Sequence, residues 1–356
     1  MNRRDFALDL TTPLSTARGR IERREGTLIE LTAGDARGVG EATPLPGWTE
    51  SLADCRAALD AVARAVSDGR LTPVDPSHPL AAATDALLDA VSDAPAARHA
   101  VECALLDAAG RRRGRSLAAL LADDPASTVP VNATLGDADA ATTAQAAADA
   151  VADGFGCLKV KVGARSLERD VARLRAVRDA VSEDVSIRAD ANGAWDRETA
   201  ADAVEAFASL DLAYLEQPLP ADDLAGHAAL RGRGVDVALD ETLATVSAAV
   251  ALDADAADIL ILKPMALGGP ARAFRAATAA RRAGVDPVVT TTVDAAPART
   301  AAVHVAAAIP GVRPCGLATG AALAADLAPD PAPVTDGAIT VPEGPGVAGA
   351  AFDDVV

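Results

Sequence analysis

Five charged segments of the chain decide its fold: Lys159-Val160-Lys161, Asp190-Ala191-Asn192, Glu216-Gln217-Pro218, Leu239-Asp240-Glu241 and Leu262-Lys263-Pro264. In each segment a charged residue stands in, or directly after, a short apolar run of the kind that forms a buried strand. The successive intervals from residue 161 to 190, 216, 240 and 263 are 29, 26, 24 and 23 residues. Each interval matches one strand, one helix and their connections, so the segments predict consecutive βα units.

The same alternation extends outward over residues 129–317. Helical patterns separate the apolar runs, as in Leu167–Ala180, Thr199–Leu210 and Ala271–Ala283. The sequence therefore predicts an α/β fold, a (β/α)-barrel with the charged groups at the C-terminal ends of its strands. An open doubly wound sheet is the alternative, and no glycine-rich nucleotide turn follows the first strands to support it. The predicted strands are Val129–Val131, Cys157–Val162, Val185–Ala189, Ala213–Leu215, Val237–Leu239, Ile259–Leu262, Val288–Thr291 and Gly316–Leu317.

The first part of the chain has a different pattern, which predicts a small α+β domain. We expect strands at Phe6–Leu8 and Thr27–Leu31, separated by the polar stretch 18–26, with turns at glycines 34, 38 and 40. Helical spacing follows over Ser51–Ser67 and then in an alanine-rich region that ends near Ala109. We place the domains at 1–120 and 121–325, with a Pro- and Gly-rich segment, 326–356, returning to the first domain.

Composition limits the classes of function. The net charge of −18 argues against nucleic acid and anionic membranes as partners. No window approaches the 18 uninterrupted apolar residues of a membrane span. Four widely spaced cysteines form neither a zinc pattern nor a disulfide scaffold, so we expect reduced thiols in a cytoplasmic protein. Acidity of this degree is also a device of halophilic proteins.

Lysine is almost absent. The 33 basic residues include only three lysines, Lys159, Lys161 and Lys263, and the other 30 are arginines. Arginine replaces lysine as a surface charge but does not release a proton at a usable pH. All three lysines lie at predicted strand ends rather than scattered over the surface. We therefore interpret them as catalytic residues that take part in proton transfer.

The three carboxylates of the charged segments predict a metal site. Asp190, Glu216 and Asp240 would repel one another at a barrel mouth unless a cation lay between them. Hard oxygen ligands without histidine favour Mg²⁺, with Mn²⁺ as the alternative. Any one of these residues alone would more simply be a helix N-cap. Lys159 and Lys161 point to one face about 6.6 Å apart, and their repulsion would lower the pKa of Lys161 towards roughly 8.

Together these motifs resemble the muconate-lactonizing subgroup of the enolase superfamily. The resemblance covers most of the barrel and implies a capping domain completed by the C-terminal tail. It implies that Lys161 removes the proton α to a carboxylate while the metal binds that carboxylate. It also implies that Lys263 stabilises the enolate from the opposite face, and that Lys159 tunes Lys161.

Within that subgroup the chain is similar to the o-succinylbenzoate synthase family. The similar segments are residues 40–47, Arg188-Ala189-Asp190, residues 316–319 and residues 341–346. The implied reaction is dehydration of a small-molecule carboxylate in menaquinone biosynthesis, with substrate contacts expected from Arg188, Pro46, Gly47 and Thr292. Two positions depart from the family pattern: Asp294-Ala295-Ala296 replaces a common Glu-Ser pair, and Cys315 replaces a frequent histidine.

Other functions stay open. An N-acylamino acid racemase would use Lys161 and Lys263 as opposed bases, and a catalytically inactive barrel that binds a ligand is the non-enzyme alternative. Dipeptide epimerases are disfavoured because an Asp-x-Asp motif is absent around Leu317, and muconate cycloisomerases are disfavoured by the Pro-Leu-Pro-Gly loop. The oligomeric state is left open, a homo-oligomer included. We interpret the four histidines, at positions 78, 99, 227 and 304, as structural.

We predict that salt stabilises the protein. Salt screens the repulsion among the surface charges of a protein with a net charge of −18, because the Debye length falls to about 3 Å at 1 M ionic strength. The thermal unfolding midpoint should therefore rise from low to molar KCl. Thermal unfolding monitored by circular dichroism measures it. A midpoint that stays level or falls would show that the acidic surface is not an adaptation to salt.

Overall fold

The computed structural model describes residues 1–16, 19–69 and 82–356. Its N-terminal part is an antiparallel sheet in the order β1-β2-β3, covered by helices. The strands are longer than predicted, and the described residues of the polar stretch 18–26 belong to β2 rather than to a connection. An exposed antiparallel ribbon does not need apolar alternation, which is why polarity misled the prediction. The elements are β1 Asn2–Thr16, β2 Gly19–Ala33, β3 Ala36–Ala42, α1 Leu52–Ser67, α2 Ala82–Asp89, α3 Pro95–Arg113 and α4 Leu117–Leu121.

Two of the three predicted turn glycines have another role. Gly34 does lie in the β2–β3 turn, with φ +66°, but Gly38 and Gly40 lie inside β3. A Cβ atom on Gly38 would lie 2.0 Å from the Ala104 carbonyl oxygen, and one on Gly40 would lie 1.9 Å from that of Ala100. Glycine is required there because helix α3 packs directly on the strand backbone.

The predicted barrel is confirmed. Its parallel sheet runs in the spatial order β5 to β11, so each strand of this part of the chain pairs with its sequence neighbour. Single bridges close the ring: Gly316 pairs with Thr290 after β11, and Cys315 pairs with Val131 before β5. The strands are β5 Ala133–Leu135, β6 Cys157–Lys161, β7 Ser186–Asp190, β8 Leu212–Glu216, β9 Val237–Leu239, β10 Ile259–Leu262 and β11 Asp286–Val289.

Two predicted barrel strands were misplaced. The first barrel strand is Ala133–Leu135, because residues 128–130 form β4 in a separate antiparallel sheet. The eighth is reduced to the bridges at 315 and 316 and does not extend to Leu317. Proline at 130 has no N–H for a ladder, yet its carbonyl oxygen still accepts the Cys315 N–H at 2.8 Å. Short apolar runs of this kind fit either sheet, so periodicity alone could not assign them.

Helices surround the barrel, and the apolar cores lie between them and the strands. In the described ranges no helix is long and apolar enough to span a membrane. All four cysteines are buried and free, as expected for reduced core thiols. The helices are α5 Ala140–Ala152, α6 Leu167–Ala180, α7 Arg197–Phe207, α8 Leu224–Leu230, α9 Ala248–Asp253, α10 Pro264–Leu267, α11 Pro270–Arg282 and α12 Ala296–Ala308.

The C-terminal segment returns to the first domain. Strand β13 Ala338–Thr340 first pairs with β4, and β12 Val334–Thr335 pairs with the other edge of β13. Gly346 then bridges Ser116, and Val347, Phe352 and Val355 are buried in a cluster with residues of β2, β3, α3 and α4. The tail therefore completes the capping domain, while the numerical bounds at 121 and 326 stay a prediction.

Buried carboxylates of the capping domain cap two barrel helices. Glu102 of α3 accepts the Ala271 N–H at the start of α11 at 2.8 Å. Glu41 of β3 accepts the N–H groups of Ala295 and Ala298 at the start of α12, both at 2.9 Å. Neither helix has a local side-chain cap. Since unpaired N–H groups at a buried helix end are costly, the barrel depends on the capping domain for the satisfied N-termini of α11 and α12.

Glu41 gives this interface a pH dependence. Burial, and then the nearby Asp294 carboxylate, raise the pKa of Glu41 from 4.5 to about 7. The backbone carbonyl of Glu41 is bonded by His99, and Arg24 lies close to both carboxylates. Because the raised pKa means that the folded state binds more protons, Glu41 makes stability fall as the pH rises from about 4.5 to about 7.

We therefore predict that Glu41→Gln removes one component of the pH dependence of stability. The wild-type free energy of unfolding, minus that of the variant, should decline between pH 4.5 and 7 by up to about 1.4 kcal/mol per pH unit. Urea unfolding at a series of pH values measures both proteins. A constant difference across this range would show that Glu41 is ionised throughout.

Candidate active site

The register of three barrel strands brings the charged segments together. Lys161 of β6, Asp190 of β7 and Glu216 of β8 are direct neighbours in the parallel ladder. One layer deeper, Lys159, Arg188 and Tyr214 are neighbours in the same way. The predicted site residues of these strands therefore form two layers at one end of the sheet.

Lys161 lies at the mouth, held by two side chains of the next segment. Its Nζ donates to Asp190 Oδ2 and to Asn192 Oδ1, both at 2.7 Å. Asn192 in turn donates to Glu241 Oε1 at 2.9 Å. The Lys161 side chain is 34% exposed, more than the side chains of the other two lysines. It is thus oriented by fixed acceptors and still open to a ligand.

Lys159 is the countercharge of the deeper layer. Its Nζ lies 3.0 Å from Glu216 Oε1 and 3.1 Å from Asp190 Oδ2. Burial acts to lower the pKa of Lys159, but Glu216 and Asp190 outweigh burial and hold that pKa well above its usual range. The repulsion expected between Lys159 and Lys161 is therefore offset for Lys159 by Asp190 on the neighbouring strand β7 and Glu216 on β8.

Lys263 lies on the opposite side of the ring, four strands from β6. Its Nζ donates to Asp240 Oδ2 at 2.7 Å, and the ring of Trp48 covers it with a centroid distance of 3.2 Å. The side chain is 10% exposed. Trp48 was not among the predicted site residues, although it follows Gly47 directly and is one of only two tryptophans in the chain.

Strained loop residues position the carboxylates. Asn192 and Gln217 follow β7 and β8 with φ values of +46° and +41°, which non-glycine residues rarely adopt. Gln217 Oε1 accepts the N–H groups of Asp240 at 2.9 Å and Thr242 at 3.1 Å. Strain of this kind persists where the surrounding structure fixes it, and it often lies at functional sites.

The three predicted ligands share one charged environment. Lys161 and Lys159 overcome the effect of burial and lower the pKa of Asp190. Burial, and then Asp190, raise the pKa of Glu216 to about 7. Burial also raises the pKa of Asp240 to about 6, against the opposing effect of Lys263. Buried anions at this density require cations close by.

A divalent cation fits this set of donors. The ligand atoms are hard carboxylate oxygens, and Asp240 Oδ1 is buried without a hydrogen-bond partner. Within the described residues, however, no three acidic, histidine or cysteine side chains already surround a common point. Ammonium groups contact the carboxylates instead. The assignment of Asp190, Glu216 and Asp240 as metal ligands accordingly stays a prediction.

The residues expected to contact substrate lie in different parts of the structure. Arg188 is 1% exposed and lies inside the barrel, with its guanidinium 4.7 Å from the Tyr214 ring centroid. Thr292 donates its hydroxyl to Asp294. Pro46 and Gly47 lie in the capping-domain turn that carries Trp48. This turn reaches one lysine, because the ring of Trp48 covers Lys263.

Among the described residues, the two departures from the family pattern and the histidines make no hydrogen bond or ion pair with a lysine. Cys315 is buried at the closing position of the barrel, where burial raises its pKa to about 12. Asp294 faces Glu41 at the domain interface. His99, His227 and His304 are buried, each with a ring nitrogen bonded to a backbone carbonyl, as expected for structural residues, and His78 lies outside the described residues.

Comparison with known proteins agrees with this fold. Residues 142–354 match the family described as enolase C-terminal domain-like. Residues 3–122 match the mandelate racemase/muconate lactonizing enzyme N-terminal domain. The chain belongs to the enolase superfamily. Its barrel matches the C-terminal domain of the superfamily, and its capping domain matches the N-terminal domain.

Individual relatives differ in activity. A chloromuconate cycloisomerase of Cupriavidus necator is 29% identical over 84% of this chain and 81% of its own length. An o-succinylbenzoate synthase of Thermobifida fusca is 39% identical over 57% of this chain and 63% of its own. The crystal structure of a dipeptide epimerase from Methylococcus capsulatus, complexed with Mg and a dipeptide, has a TM-score of 0.84 at 29% identity and covers 98% of both chains.

We predict that Asp240, not the adjacent Glu241, is a metal ligand. Asp240→Asn should weaken Mg²⁺ binding by more than roughly tenfold. Glu241→Gln should change it less, because Glu241 Oε1 already accepts a hydrogen bond from Asn192, although Glu241 Oε2, like Asp240 Oδ1, is buried without a partner. Calorimetric titration with Mg²⁺ measures both. Intact affinity in Asp240→Asn together with lost affinity in Glu241→Gln would reverse the assignment.

Proposed function

We propose that this chain is an o-succinylbenzoate synthase, a metal-dependent lyase that dehydrates a succinyl-hydroxycyclohexadiene carboxylate. The observation that carries the proposal is the inequality of the two opposed lysines. Lys161 is the exposed member, while Lys263 is enclosed between Asp240 and Trp48. One accessible base and one fixed charge suit a syn elimination.

In this reaction Lys161 is the base and then the acid. It would remove the α-proton of the substrate and return a proton to the departing hydroxyl on the same face. The contacts from Asp190 and Asn192 hold its Nζ in place for both steps. Lys159, buried beneath it, keeps a positive charge between Glu216 and Asp190 throughout.

Lys263 would act from the other face through its charge. A positive charge there stabilises the enolate that forms when the α-proton leaves. Asp190, Glu216 and Asp240 would hold Mg²⁺, or Mn²⁺, which supplies further stabilisation of negative charge at the substrate carboxylate.

Racemisation of N-acylamino acids is the second candidate. The observation that favours it is the strand order, which places Lys161 and Lys263 on opposite sides of the ring as a two-base mechanism needs. An N-succinyl-L-Arg/Lys racemase of Bacillus cereus is also 29% identical over 62% of this chain.

The direct test of dehydration is spectroscopic. The cyclohexadiene precursor of o-succinylbenzoate is added to the protein with Mg²⁺, and the ultraviolet change of aromatisation is recorded. We expect turnover that disappears when the metal is chelated. Binding of the precursor without turnover would instead support the inactive-barrel alternative.

We predict that arginine does not replace Lys161. Because arginine stays protonated at any working pH, Lys161→Arg should lose dehydration by roughly 10² to 10⁴-fold. Lys263→Arg should retain a larger share if only its charge is needed, whereas a racemase would lose activity in both variants. Dehydration and α-proton exchange with solvent are measured for each. Near-native dehydration by Lys161→Arg would refute this mechanism.

A further inference from the structure

The capping-domain segment 40–47 contributes a buried carboxylate that does not contact the lysines. Glu41, its only charged residue, is 0% exposed and bonds to the start of α12. The same segment leads into the turn that carries Trp48. This arrangement joins a domain interface to the catalytic side of the barrel within eight residues of chain.

The contacts fix where the turn begins. Glu41 accepts a hydrogen bond from the hydroxyl of Thr43. Arg24, which is buried, donates to the carbonyl oxygens of Thr43 at 2.7 Å and Pro44 at 3.2 Å. It also donates to Val293 of the barrel at 3.3 Å. The start of the turn is thus tied to the loop between β11 and α12 through two buried charged groups.

The turn itself is rigid. The N–H groups of Trp48 and Thr49 both donate to the Leu45 carbonyl, at 2.9 and 3.0 Å. The Leu45 N–H donates to Thr49 Oγ1 at 2.9 Å. At its far end, Glu50 accepts N–H groups at the start of α3 at 3.0 and 2.9 Å. Trp48 therefore lies in a short hydrogen-bonded segment that is held by Glu41 and Arg24 at one end and by Glu50 at the other.

From these contacts we infer that Glu41 is a positioning residue for the active site: its inter-domain cap of α12 seats Trp48 against Lys263. Arg24 is the second connection in the same arrangement. The kinetic consequence rests on the proposed function, whereas the seating of Trp48 can be observed in the protein alone.

A fluorescence measurement tests the seating. In a Trp195→Phe background, Trp48 is the only tryptophan, because the chain has two. Glu41→Gln keeps one acceptor oxygen and replaces the other with an amide group that cannot accept an N–H. We expect Trp48 emission to move to longer wavelength and its quenching by acrylamide to increase, with the far-ultraviolet circular dichroism unchanged.

Asp326→Ala is the matched control, because alanine removes the oxygen that accepts at the start of α12. Asp326 accepts the N–H of Ala296 at 2.8 Å, on the same first turn of α12, but it does not belong to the capping sheet. Its variant should leave Trp48 emission unchanged. Emission that shifts equally in both variants would mean that α12 disruption, and not the inter-domain cap, moves the turn, which would overturn the proposal.

The other possible results of these measurements also test the role of Glu41. Unchanged emission in a folded Glu41→Gln protein would overturn the inference. If that variant does not fold, Arg24→Met removes every donor of the second connection. It should give the same shift, and unchanged emission there would equally overturn the inference. With the dehydration substrate, we expect KM to rise roughly tenfold in Glu41→Gln, the equivalent of one or two buried hydrogen bonds, with a smaller change in kcat. If Glu41→Gln shifts the emission but the unsubstituted protein shows no dehydration, the proposed function is refuted and the seating stands.

Discussion

The structure depends on the neutralisation of three buried carboxylates at one end of a parallel sheet. Asp190, Glu216 and Asp240 cannot share that end as isolated anions, because removal of a charge from water costs far more than a fold can supply. Two lysines on β6 and one after β10 provide the positive charge within hydrogen-bonding distance. A divalent cation would complete the balance at Asp240, where one buried oxygen has no partner.

The same physical requirement recurs between the domains. Barrel helices α11 and α12 begin without local caps, and carboxylates from the capping domain accept their terminal N–H groups. The mouth of the barrel and the loop above it are therefore parts of one hydrogen-bonded assembly. Through this assembly Glu41, which contacts none of the lysines, is linked to the turn that carries Trp48 over Lys263.

Much of this arrangement was predictable from sequence because it follows from period and spacing. Charged residues one βα unit apart must meet at one end of a parallel sheet, so the placement of Lys161, Asp190 and Glu216 required no tertiary information. The barrel strand after Pro130 was misassigned because a short apolar run carries no information on its partner. Trp48 was missed because its contact with Lys263 joins residues 215 positions apart. Gly38 and Gly40 were misread because the close approach of helix α3 to strand β3 leaves no pattern in the sequence around the two glycines.

The inequality of Lys161 and Lys263 is the central functional claim. Both lie at strand ends on opposite sides of the ring, yet only one is open to a ligand, so proton transfer should occur on one face. The most direct test uses nuclear magnetic resonance to follow exchange of the α-proton of an N-succinylamino acid in D₂O. The protein is incubated with Mg²⁺ and with each enantiomer separately. Our account predicts deuterium incorporation into one enantiomer only, on the Lys161 face. Equal initial rates for both enantiomers would contradict it and show that Lys263 is a second base.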